Sequence, residues 1–467
     1  MALERERFAP CAPVARSVLE LIGNTPMVEV RRLDTGPCRL FLKLENQNPG
    51  GSIKDRIALA MIEAAERDGT LQPGGTIVEA TAGNTGLGLA LVAAQKGYAL
   101  KLVIPDKMSQ EKIHHLKALG AEVVLTRSDV GKGHAEYYQD LAERIARQTP
   151  GAFYVNQFGN PANPAAHESS TGPEIWEQMQ HQIDAVVAGV GSGGTLTGLT
   201  RFFRSTAPNV KMILADPAGS VLAEYVKSGR LNEAGSWYVE GIGEDFVPPI
   251  ADLSGVAESF TIPDEESFST ARALLREEGV LAGSSAGTLV AAALRYCRSR
   301  GAPERVVTIV CDSGNKYLSK MFNDYWMVDQ GFLRREKYGD LRDVIGRRYA
   351  DDAVVTIGPD DALLTAYARF KLYDISQLPV VAHDEIVGLI DESDVLLAAY
   401  GKAQVFRSPV RDFMSTKLET LPPDAPLQAL LPVFDAGRVP IVVDGNGRFC
   451  GLVTRMDLLN YLRRREK

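Results

Sequence analysis

Thr76-Ile77-Val78-Glu79-Ala80-Thr81-Ala82-Gly83-Asn84-Thr85-Gly86-Leu87 opens with a short buried strand, turns sharply at Gly83, and hands the chain to a helix. The strand covers Thr76 to Glu79 and the helix Thr85 to Lys96. The same alternation extends in both directions. Leu40 to Leu44, Leu100 to Ile104, Glu122 to Leu125, Ala185 to Val190, Met212 to Ala215 and Val306 to Val310 all read as apolar strands. Helical stretches such as Ile57 to Asp68 lie between them. Strands separated by helices imply an α/β fold, with parallel sheets flanked by helices on both faces.

Four motifs on this frame carry chemistry. Gly50-Gly51-Ser52-Ile53-Lys54-Asp55-Arg56 places a lysine just after a glycine turn, where a helix dipole can depress its pKa. A lysine tuned in this way can form a Schiff base with an aldehyde cofactor; the plain alternative is a solvated lysine. Thr81, Ala82, Gly83, Asn84 and Thr85 offer hydroxyls, backbone N–H groups and a helix N-terminus to a carboxylate; the alternative is a turn capped by Asn84. Gly189-Val190-Gly191-Ser192-Gly193-Gly194-Thr195 frees the backbone to wrap a phosphate. Gly189, Gly191 and Gly194 also satisfy a dinucleotide fingerprint, with Asp216 about 20 residues on, so a dehydrogenase stays open at this loop. Val310-Cys311-Asp312-Ser313 ends another strand, where the Ser313 hydroxyl could face a heterocyclic nitrogen. Motifs at the C-terminal ends of strands converge on one crevice of an open α/β sheet.

The chain has 467 residues, a length that implies two or three domains. A net charge of −8 argues against a nucleic-acid binder, and no apolar run is long enough to span a membrane. The segment before Pro10 lacks the apolar core of a signal peptide. Five scattered cysteines without a C-x-x-C pair argue against a disulfide framework or a structural zinc site. A cytoplasmic location is the resulting expectation.

Beyond Trp326 the character changes. Residues 334–348 are charge-dense, as suits a linker. After it, Leu378-Pro379-Val380-Val381 with Gly388-Leu389-Ile390-Asp391-Glu392-Ser393-Asp394 is echoed by Val439-Pro440-Ile441-Val442 with Gly451-Leu452-Val453-Thr454-Arg455-Met456-Asp457. The copies lie roughly 60 residues apart and mark a duplicated strand–strand–helix unit. The expected domains are an extension over 1–16, a catalytic region over 17–333, the linker, and repeats over 349–402 and 403–467.

Together with Leu19-Glu20-Leu21-Ile22-Gly23-Asn24-Thr25-Pro26, these motifs resemble the fold-type II pyridoxal-phosphate family of cysteine synthase and cystathionine β-synthase. The likeness runs over about two-thirds of the chain. It implies that Lys54 carries pyridoxal 5'-phosphate and moves protons, that Asn84 bonds the ring hydroxyl oxygen, and that Gly191, Ser192, Gly193, Gly194 and Thr195 bind the phosphate. Ser313 would meet the pyridine nitrogen. Thr81, Ala82, Gly83 and Thr85 would hold the substrate carboxylate, with Gln157 and Gly241 nearby. Glu240-Gly241-Ile242-Gly243-Glu244-Asp245-Phe246 is similar to the E-G-I-G-x-D-F of the cystathionine β-synthase branch, and the tail resembles tandem CBS domains. The resemblance thus implies condensation of L-serine or O-acetyl-L-serine with L-homocysteine, with hydrogen sulfide release as a side activity. The near rival is a cysteine synthase with a regulatory tail. Ala82 departs from the serine of many relatives, and Phe158 from the tyrosine of the animal enzymes. Cys11 precedes Lys54 without a histidine, so no haem is expected. In the tail, Thr454 and Asp457 match the residues by which CBS domains hold a ribose, which makes S-adenosylmethionine the expected effector; Asp391 breaks the pattern in the first repeat. A homodimer at least is implied.

Overall fold

A computed structural model describes residues 14–81, 83–106, 110–131, 133–400 and 403–465. Ala82 and Cys11 lie outside them. The chain divides into two units, one ending at Phe322 and the other beginning at Asn323.

Among the described residues the first unit holds ten strands: β1 (Met27–Glu29), β2 (Arg39–Lys43), β3 (Thr76–Ala80), β4 (Ala99–Pro105), β5 (Glu122–Thr126), β6 (Ala152–Tyr154), β7 (Ala185–Gly189), β8 (Lys211–Pro217), β9 (Val256–Ile262) and β10 (Arg305–Ile309). They form a six-stranded sheet in the order β1-β2-β10-β7-β8-β9 and a four-stranded sheet in the order β5-β4-β3-β6. Every pairing is parallel except β1 with β2. Parallel strands are covered on both faces, so their residues are apolar throughout; Ala185, Val186, Val187 and Ala188 have no exposed surface. The strands expected from the sequence are all present, within a residue or two at their ends.

Periodicity could not show the buried ionic network beside the site. Lys43, at the end of β2, is fully buried and reaches Glu174 at 2.7 Å. Arg56, in the first turn of the helix Lys54–Arg67, bonds Glu45 at 2.7 Å and Glu174 at 2.7 Å. The pairing holds the Glu174 carboxyl at about 2 against the opposing effect of burial. The network clamps the start of the Lys54 helix to β2 and to the helix Gly172–Gln178.

The second unit contains β11 (Gln377–Ala382), β12 (Glu385–Asp391), β13 (Glu419–Leu421), β14 (Pro440–Val443) and β15 (Phe449–Leu452). β11 pairs with β12; β13, β14 and β15 form a three-stranded sheet. Each repeat has its own apolar core, one around Leu363, Phe370 and Ile390, the other around Leu430, Phe434 and Val453. The charged stretch 334–348 departs from a solvated linker. Leu341, Val344 and Ile345 are buried in the core of the second repeat, because three apolar residues on adjacent turns suffice to dock a charge-rich segment.

Candidate active site

Three segments are stitched together around Lys54. Gly51 takes a positive φ of 75°, which a side chain would strain, and so turns the chain into the helix that Lys54 begins. Asp55 accepts from the Gly50 amide at 2.5 Å and fixes that turn. The segment after β10 then pairs with it: the Ile53 amide donates to the Cys311 carbonyl at 2.8 Å, and the Ser313 amide to the Gly51 carbonyl at 3.2 Å. The third segment is the start of the helix Asn84–Lys96, after β3. Asn84 Nδ2 donates to Asp312 Oδ2 at 2.8 Å, while Lys316 Nζ donates to Asn84 Oδ1 at 2.6 Å.

These segments line a cavity of about 840 Å³. Lys54, Thr81, Gly83, Asn84, Thr85 and Gln157 stand on its wall, as do Gly191, Ser192, Gly193, Gly194, Thr195 and Gly241. The residues expected from the sequence are therefore brought together, with two exceptions. Ala82 falls outside the described residues. Ser313 is not on the wall: its hydroxyl accepts from the Asn315 amide at 3.3 Å as the cap of a short turn, and Cys311 and Tyr317 face the cavity instead.

Burial lowers the Lys54 amine below its ordinary value, against the opposing pull of Cys311 and Asp312. Thr85 Oγ1 donates to Gln157 Oε1 at 2.7 Å, which leaves the amide nitrogen as the Gln157 donor. Beneath them Glu79, fully enclosed, accepts from the Ala80 and Gln157 amides; burial pushes its carboxyl up to about 8.

The glycine loop fits a phosphate. It leads into the 13-residue helix Gly194–Thr206, whose N-terminus faces the loop. A Cβ on Gly193 would come within 2.6 Å of Ala251, and one on Gly191 within 2.6 Å of the Gly241 carbonyl. Glycine is thus required for the close packing that forms this cradle. Ser192 Oγ accepts from Asn163 Nδ2 at 3.0 Å, and Thr195 Oγ1 lies 3.2 Å from His167 Nε2. The buried His167 is held neutral, first by desolvation and then by Arg56 and Lys54. A desolvated lysine, a glycine phosphate cradle and a carboxylate-binding helix start around one cavity suit pyridoxal phosphate and an amino acid together.

The sequence reading missed several wall residues. Ser285, at the start of the helix Ser284–Arg298, was signalled by Gly283-Ser284-Ser285-Ala286-Gly287. Tyr138, Trp237 and Lys320 come from scattered segments and carry no motif, while Glu244 holds the variable position of the motif over residues 240–246.

In the second unit, Thr454 and Asp457 do meet. Asp457 Oδ2 accepts from the Thr454 amide at 2.7 Å and its hydroxyl at 2.6 Å, at the start of the helix Arg455–Arg465. Asp391 and Asp394 form a reciprocal capping box in the first repeat. Among the described residues, no group of acids, histidines or cysteines is placed to hold a metal ion, and no helix is long and apolar enough to cross a membrane.

The chain matches the family model described as "Pyridoxal-phosphate dependent enzyme" over residues 18–312, and the CBS domain model over 342–401 and 410–464. It is 36% identical over 461 residues to "Cystathionine beta-synthase" of Dictyostelium discoideum, covering 96% of this chain and 92% of that protein. The protein of the same name from Rattus norvegicus is 43% identical over 68% of this chain, a match that spans 57% of the rat protein's length. Among solved structures, a hydrogen sulfide-producing enzyme from Fusobacterium nucleatum superposes with a TM-score of 0.60 at 37% identity, covering 65% of this chain and all of that one. An O-ureido-L-serine synthase gives 0.62 at 34%, covering 68% and 100%.

Proposed function

We propose, for a chain that belongs to the cystathionine β-synthase family of pyridoxal-phosphate dependent enzymes, that it condenses L-serine or O-acetyl-L-serine with L-homocysteine to give L-cystathionine. The observation that carries this reading is the convergence of Lys54, Asn84, the glycine loop and the Thr81–Thr85 turn on one cavity.

Pyridoxal phosphate, when bound, supplies an electron sink for negative charge at the substrate's Cα. The residues of the chain do the rest. The Lys54 amine, depressed by burial, takes and returns the proton at Cα. Thr81, Gly83 and Thr85 hold the carboxylate against the positive end of the helix Asn84–Lys96, with the Gln157 amide as a further donor. Gly191 to Thr195 hold the phosphate, and Asn84 the ring hydroxyl oxygen. The assignment of Ser313 to the pyridine nitrogen rests on the resemblance alone. A neutral hydroxyl there would favour loss of a β-substituent over transamination. The acceptor thiol then adds at Cβ. Cysteine in the donor's place would lose its own thiol as hydrogen sulfide while homocysteine adds, which is the side activity expected here.

For the second unit we infer an adenosyl ligand at Thr454 and Asp457. Leu372, Leu397 and Tyr400 are 76%, 77% and 85% exposed on its helices and the turn that follows, which supports self-association into at least a homodimer. Mass spectrometry of products, with each donor offered against homocysteine and sulfide, tests the acceptor. Cystathionine as the main product is expected; cysteine with little cystathionine would instead assign a cysteine synthase.

A further inference from the structure

The roles above leave one charged wall of the cavity unused. Glu244 lines it beside Tyr138 and Trp237. Its backbone is fixed from both sides: its amide donates to Ser220 Oγ at 3.1 Å, and its carbonyl accepts from the Val221 amide at 3.1 Å. One residue earlier, the Gly243 amide donates to the Val190 carbonyl at 2.8 Å, tying this wall to the phosphate loop. Glu240 lines the same cavity but is neutralised by Lys320 Nζ at 2.6 Å. Among the described residues no lysine, arginine or histidine pairs with Glu244. The charged and titratable groups around it are Asp245, Asp216, Tyr137 and Tyr138, all acids. A partly desolvated carboxylate on a cavity wall that also carries Tyr138 and Trp237 is a receptor for a cation.

We propose that Glu244, with Tyr138 and Trp237, receives the α-ammonium group of the acceptor amino acid and so selects amino-acid thiols over sulfide. The proposal rests on the β-replacement reading and names the part of the site that sets its acceptor. Burial, then Asp245 and Asp216, push the Glu244 carboxyl up to about 8; an arriving ammonium relieves that repulsion.

The test uses holoenzyme with saturating serine and four acceptors: homocysteine, sulfide, 3-mercaptopropylamine (homocysteine without its carboxylate) and 1-propanethiol. Wild type is expected to prefer the aminothiol to propanethiol. Glu244→Gln should erase that preference, and should lower the homocysteine-to-sulfide ratio of kcat/KM about tenfold or more through KM. Glu244→Asp, which keeps the charge, should fall between. Equal loss with all four thiols, or an unchanged ratio in folded Glu244→Gln, overturns the assignment. Should Glu244→Gln fail to fold, wild type that shows no preference for ammonium-bearing thiols overturns it as well. Wild type that turns over serine with none of the four overturns the β-replacement reading itself.

Discussion

A lysine acts as a base only when neutral, so its surroundings must disfavour the ammonium form without removing the amine from the substrate. Lys54 meets both demands, being enclosed by protein yet open to the cavity. Lys54→Ala should lower turnover by about 10³-fold or more while leaving the circular dichroism spectrum intact; retention of activity would remove Lys54 from the chemistry. Glu79 offers a different test. Its folded value, about 8, lies above the ordinary 4.5, so the folded state holds the proton more tightly than the unfolded chain does. The stability this gives is full below about 4.5 and is lost as pH rises through about 8. Glu79→Gln should flatten that decline, read as urea midpoints from pH 5 to 9. Lys54 and Asn84 were legible in the sequence because glycines punctuate them after strands. Tyr138 and Trp237 were not, because only the fold brings their segments to one cavity; Glu244 holds the variable position of the motif over residues 240–246, and Ser313, whose hydroxyl accepts from the Asn315 amide, was placed by the resemblance alone.

At the level of elements, the apolar runs of parallel strands announced the sheets, and the turns between them announced the site. Lys43, Glu45 and Arg56 stayed hidden. They sit in or beside apolar segments, and nothing in a period-two or period-3.6 pattern says that a charge inside it has a partner. The partners come from Glu174, more than a hundred residues away in sequence. Arg56→Met leaves the buried Glu45 without its cationic partner and Glu174 with Lys43 alone, and should cost about 3–5 kcal/mol in denaturant unfolding. The Glu174 value of about 2 lies below its ordinary 4.5. Its contribution is therefore present above about 4.5 and lost as pH falls toward 2, the reverse of Glu79. An Arg56→Met variant as stable as wild type would show that the network adds nothing.

For the whole molecule, the internal repeat revealed the second unit, whereas the docking of Leu341, Val344 and Ile345 into its core was masked by surrounding charge. Thr454 and Asp457 already bond one another at the mouth of a helix, an arrangement that a ribose can join. S-adenosylmethionine at a hundred times its Kd should stabilise the full chain by about 2.7 kcal/mol, read as a rise in Tm, and Asp457→Ala should abolish the rise. No shift in wild type would leave the repeats without this effector. The central claim concerns the site, and borohydride reduction of the holoenzyme followed by peptide mapping tests it most directly. The expected result is the pyridoxyl group on Lys54 alone; its appearance on Lys316 or Lys320, the neighbouring lysines, would contradict the whole assignment.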